Sequence, residues 1–128
     1  MSQVQRSPLN EAIRFAQTCP LPVKRLPIEE LILGAKNFIY EDVNYDDPIF
    51  DLDMIIVNYI RHELTPYDDA IEVVKFFPAA IWILTRRTFK AISGAYPQYR
   101  SVAQVQMKKK VLKASQKRRL KLLEVQSG

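Results

Sequence analysis

Cysteine is nearly missing from this chain: Cys19 is the only one. A single thiol cannot build an internal disulfide framework, a multi-cysteine zinc site or an iron–sulfur site. It also makes a reducing compartment the simpler expectation. Histidine is as scarce, with His62 alone, so no multi-histidine metal site can form. The three glycines make no phosphate-cradling loop, which excludes nucleotide-triphosphate chemistry of the usual kind. Long apolar runs are lacking too. The longest, Phe76 to Leu84, is far short of the ~20 residues that cross a bilayer. Met1 to Arg14 holds no apolar signal core. The expectation is a soluble, unprocessed, cytoplasmic protein with no transmembrane segment, no cofactor and no metal.

Strand signals are weak as well. The β-branched runs do not alternate, and there is no Asn-Gly or Asp-Gly hairpin turn. A short extended pair around Leu21–Leu26 or Phe38–Tyr45 is the most β structure the pattern allows. What is present is a chain of 128 residues, 48% hydrophobic, which suits one domain with a core of its own. Its net charge of +5 is unevenly placed. Residues 1–85 carry 7 Lys/Arg against 13 Asp/Glu, whereas residues 86–128 carry 12 Lys/Arg and a single acid, Glu124. An acidic body joined to a basic tail is a statement about partners rather than about fold.

Proline punctuates the chain, and helical spacing fills the intervals. Ser7 and Pro8 open a first helix to about Thr18, with Leu9, Ala12, Ile13 and Ala16 on one face. The three prolines of Pro20–Pro27 impose an extended connector. A second helix, about Ile28–Ile39, shows the stripe Ile28, Leu31, Ile32, Ala35 and Phe38. A third, about Leu52–Glu63, shows Leu52, Ile55, Ile56, Tyr59 and Ile60. Thr65 is read as the cap of a fourth helix running to about Phe77, with Pro66 in its first turn. The fifth, about Pro78–Ala95, is apolar all round in its first half and is expected to be the buried centre, ended by Gly94 and Pro97. The aromatic set Phe76, Phe77, Trp82 and Phe89 is read as core, and Cys19 as a small inert hydrophobe. The sixth, about Val102–Val125 with Ser101 as cap, would be roughly 36 Å long at 1.5 Å per residue. Its apolar side carries Val105, Val111, Leu112, Leu122 and Leu123. The fold class predicted is all-α: about five short helices around a buried central one in residues 1–100, and a basic C-terminal helix in residues 101–128, docked or projecting.

That last helix is the clearest functional signal. Lys108, Lys109, Lys110, Lys113, Lys117, Arg118, Arg119 and Lys121 place eight cations within 14 residues. Such a rod attracts nucleic-acid phosphates, DNA or RNA, by counterion release, and its width fits a major groove. Aromatic residues are absent beyond Tyr99, which argues against stacking of single strands. An acidic protein partner, a second copy of this chain or an anionic membrane surface offers the same charge complementarity, and a merely solvated helix needs no partner at all.

Two further stretches bear on chemistry. Asp42, Asn44 and Asp46 resemble the first half of an EF-hand calcium loop, with Ile49 at its apolar eighth position. The loop departs from that pattern at Asp47, where glycine is wanted, and at Asp53, which replaces the long bidentate glutamate. A polar connector that charges the next helix is the plainer reading. The corner Arg61, His62, Thr65, Tyr67 and Asp68 sets the one histidine against a carboxylate. A His–Asp pair serves a general base, but no serine or cysteine nucleophile is spaced to join it. The string is similar to a motif in small bacterial helical proteins, a resemblance that implies no activity. The overall expectation is a non-enzymatic protein that binds nucleic-acid phosphates through its basic helix. The alternative is an assembly factor that pairs the acidic Glu41–Asp53 loop with that helix.

Overall fold

A computed structural model of the chain describes residues 7–37 and 52–109. Every regular element among them is helical, and no strand is present among them. The order is α1 (Pro8–Thr18), α2 (Ile28–Asn37), α3 (Leu52–Glu63), α4 (Tyr67–Val74) and α5 (Pro78–Ala95), then a 3-10 turn at Pro97–Tyr99. Residues 100–109, here α6, continue helically from that turn. Of the anticipated extended pair, Leu21–Leu26 forms no strand, and Phe38–Tyr45 lies wholly outside the described residues. No helix among the described residues is long and apolar enough to cross a membrane.

Local chemistry explains the boundaries. Ser7 caps α1 by accepting a hydrogen bond from the Asn10 amide at 3.2 Å, with Pro8 in the first turn. The extended connector is pinned at three points. The Lys24 amide donates to the Leu64 carbonyl at 2.8 Å. The Tyr96 hydroxyl donates to the Lys24 carbonyl at 2.9 Å and accepts from the Leu26 amide at 2.8 Å. Arg25 closes the C-terminus of α5 by donating to the Ala95 carbonyl at 3.0 Å. Arg87 closes α1 in the same way, reaching the carbonyls of Ala16 at 2.7 Å and Cys19 at 3.0 Å. Cations are favoured at both places because the last carbonyls of a helix have no partner within it.

Helix α5 is the spine, as its sequence suggests, but it serves two cores in turn. Its first half, with Ala80 and Leu84, packs against Ala12, Ala16 and Cys19 of the α1 end and Ala70 and Val74 of α4. Small residues on three helices let their backbones approach closely there. Its second half, with Phe89 and Ile92, packs against Leu31 and Ala35 of α2, Ile56, Val57 and Ile60 of α3, and Tyr96, Tyr99 and Ala103. Each large apolar side chain so buried contributes about 1.5–3 kcal/mol.

Several expected faces are rotated. In α3 the buried set is Ile56, Val57, Ile60 and Arg61, and Leu52 is exposed. Leu9 and Ile28 open their helices on exposed first turns. Of the aromatic set only Phe89 is fully enclosed, and Phe77 is half-buried. Phe76 is 79% exposed in the turn after α4, which ends at Val74, earlier than the spacing suggested. Trp82 is 40% exposed, because the all-apolar first half of α5 is packed by α1 and α4 on two sides only. Thr65 lies one residue before the Pro66 cap of α4; its hydroxyl accepts from the Tyr67 amide at 3.2 Å and donates to the Arg61 carbonyl.

The two described glycines make opposite demands. Gly34 of α2 sits where α3 crosses: a Cβ there meets the Tyr59 hydroxyl oxygen at 2.5 Å and its ring carbon at 2.7 Å. Gly94 is helical rather than a left-handed cap, and a Cβ there meets nothing within 4 Å. Alanine gains up to about 1 kcal/mol of helix propensity at either site. Overpacking costs about 1–3 kcal/mol and so prevails at Gly34. Gly34→Ala is expected to lower the melting temperature and Gly94→Ala to raise it, both read by thermal unfolding followed by circular dichroism.

Candidate anion-binding groove

Helix α6 begins docked. Ala103 is fully buried, Gln106 nearly so, and Val102 and Met107 pack at the edge of the core. Gln106 donates through its side-chain amide to the Met54 carbonyl of α3 at 2.8 Å. Burial pushes the Tyr99 phenol up, helped by the Asp53 carboxylate and Tyr96. Of the anticipated helix to Val125 only the part to Lys109 is described, and of its anticipated apolar side only Val105 falls there; Val111, Leu112, Leu122 and Leu123 lie outside the described residues. Val105 is 48% exposed, and Ser101 lies inside the helix, which starts directly from the 3-10 turn. Lys108 and Lys109 are exposed. Lys110, Lys113, Lys117, Arg118, Arg119 and Lys121 lie outside the described residues, as does most of the acidic loop with Asp42, Asn44 and Asp46.

Between α5 and the start of α6 lies a groove of about 600 Å³. One wall is the ridge Trp82, Arg86, Lys90 and Ser93 of α5; the other is Arg100, Gln104 and Met107 of α6. Residues three or four apart share a helix face, so each wall is a continuous row. Phe89, Ile83 and Gly94 complete the floor, and Arg87 reaches it from the side. Among the described residues no aspartate or glutamate lines the groove.

The basic residues of this region divide by what they touch. Arg87 is committed to the α1 carbonyls. The Arg86 guanidinium lies over the Trp82 ring, 4.6 Å from its centroid, a cation–π stack that leaves its charge unneutralised. Arg86, Lys90, Arg100, Lys108 and Lys109 form no ion pair; among the described residues the ion pairs are His62–Asp68 and Lys75–Glu72. Beside Lys108 and Lys109 the described residues thus hold three further cations, Arg86, Lys90 and Arg100, that line the groove. The groove residues of α5 stand in the sequence as Trp82, Arg86 and Lys90, at four-residue spacing on one helix face.

The Arg61–His62 corner is assembled as its spacing implied. His62 Nδ1 lies 2.9 and 2.8 Å from the two Asp68 carboxylate oxygens, across the α3–α4 turn. Arg61 is 4% exposed. Its Nη2 reaches Asn58 Oδ1 at 2.6 Å and His62 Nε2 at 3.0 Å, and its guanidinium lies 5.1 Å from the Tyr67 ring centroid and 6.0 Å from that of Phe89. A guanidinium only donates, so Nε2 accepts and the ring proton sits on Nδ1, facing Asp68. The lone pair that a general base needs is thereby engaged by Arg61. Tyr67 donates its hydroxyl to Thr85 Oγ1 at 3.0 Å, and Thr85 in turn donates to the Ile81 carbonyl at 2.8 Å. The corner fastens α3, α4 and α5 together. Comparison with family models, with curated proteins and with solved structures found no match to this chain.

Proposed function

We propose that this chain is a non-enzymatic binding protein whose partner is nucleic acid, held through its phosphates. One observation carries the reading: among the described residues Arg86, Lys90 and Arg100 line a groove without an ion-pair partner or an acidic neighbour in its lining, and Lys108 and Lys109 are exposed further along α6. Unpaired cations release condensed counterions when they meet a polyanion, and that release drives association. Cations neutralised by their own domain have much less to gain. The engaged His62 ring favours binding over catalysis at the α3–α4 corner.

The reading is tested by fluorescence anisotropy of the full chain on a labelled oligonucleotide in low salt. A dissociation constant in the range of about 1–100 μM near physiological salt is expected, tightening as salt is lowered. Absence of binding at 50 mM salt, at protein concentrations of several hundred micromolar, rejects the proposal.

A further inference from the structure

We infer that the groove takes an unpaired nucleotide of a single strand, its base stacked on Trp82 and its phosphates held by Arg86, Lys90 and Arg100. The inference rests on the nucleic-acid reading above and specifies which form of nucleic acid fits.

Shape is the first argument. A duplex is read by a convex element that enters its groove. Here the cations of α5 and α6 border a concavity instead. Its volume of about 600 Å³ lies in the range of sites that enclose one small molecule or one extruded group. A duplex meets the rim and leaves the floor empty. A single strand can turn one base inward.

The chemistry of the α5 wall is the second argument. Trp82 is 40% exposed in a helix otherwise chosen for burial, and it already carries a planar guanidinium at 4.6 Å. Aromatic faces and arginine planes are the two surfaces on which unpaired bases stack. The groove offers both as one stacked pair, which a base can extend, with Lys90 and Arg100 further along for the backbone that leads away from the base. An acidic peptide satisfies the cations but has no planar ring attached to each charge. The absence of aromatics from the C-terminal run, which argues against stacking there, is answered by a residue 26 positions upstream of its first lysine, Lys108.

Trp82 is the only tryptophan, so it reports on its own site. The full chain is titrated with oligothymidylate, with a duplex of equal length and with polyglutamate, at one salt concentration. Tryptophan emission and anisotropy are followed together. Trp82→Ala and Trp82→Phe are measured alongside, the phenylalanine retaining a stacking ring. The single strand is expected to quench Trp82 and to bind roughly tenfold more tightly than the duplex. Trp82→Ala should lose that preference, and Trp82→Phe should keep most of it. Equal binding of strand and duplex without quenching overturns the stacking inference and leaves the phosphate reading standing. So does polyglutamate that quenches and binds as well as the oligonucleotide. Failure of every polyanion to bind overturns both.

Discussion

Replacing Arg86, Lys90 and Arg100 together by alanine is expected to weaken oligonucleotide binding on the order of a hundredfold at 50 mM salt. The estimate follows from counterion release. Each phosphate neutralised on a single strand contributes about 0.7 to the slope of log K against log salt, so three lost contacts flatten it by about 2. All three side chains are exposed, and Arg87, which holds the end of α1, is left in place. The fold should therefore survive, with a melting temperature within a few degrees of the parent. Neutralising Arg14 and Lys36, exposed cations of α1 and α2, is the matched control. If position matters and not merely net charge, that pair should change affinity less than twofold. Equal losses in the two variants would show that the groove has no special part in binding.

The largest loss of stability is expected from Arg61→Ala, at about 2–5 kcal/mol. Arg61 is nearly enclosed, yet it is a cation in a shell of Tyr67, Phe89, Asn58 and His62. Truncation removes a large side chain from between two rings and deprives the Asn58 and His62 acceptors of their donor. Both acceptors are half-buried, so the lost packing of the nearly enclosed arginine is the larger part of the cost. Against a total stability of about 5–15 kcal/mol, this leaves a marginal domain. Arg61→Met, which refills the volume without the charge, should recover part of the loss. Asp68→Asn should cost less than about 1 kcal/mol, because the Asp68 side chain is 52% exposed and water screens its contact with His62. Urea unfolding of the three variants ranks them; an Arg61→Ala protein as stable as Asp68→Asn contradicts this account of the corner.

The helices themselves were legible because their causes are local. Ser7-Pro8 opens α1 as read, the three prolines hold 20–27 extended, and the apolar run at 79–84 lies in the helix around which the others pack. The facing of each helix was less legible. A stripe read at 3.6-residue spacing gives a direction for burial but not the number of neighbours that supply it. Leu52, Val105 and Trp82 are apolar residues on sides where the described neighbours do not close. Arg61 illustrates the converse. Nothing local marks an arginine for burial; it is enclosed because Tyr67 and Phe89, 6 and 28 positions away, offer ring faces to its guanidinium. The corner partners His62 and Asp68 were legible because they flank one turn. The groove joins Arg86 and Lys90 to Arg100 across a helix end, and such a juxtaposition is set by how α6 docks through Ala103 and Gln106.

The claim on which the functional account depends is that unpaired cations of this chain meet phosphates. Its most direct test is the salt dependence of oligonucleotide affinity for the unmodified full chain, measured from 50 to 300 mM. Five available cations on α5 and α6 predict a slope of log K against log salt of about −3 or steeper. A slope shallower than about −1, or affinity indifferent to salt, contradicts it.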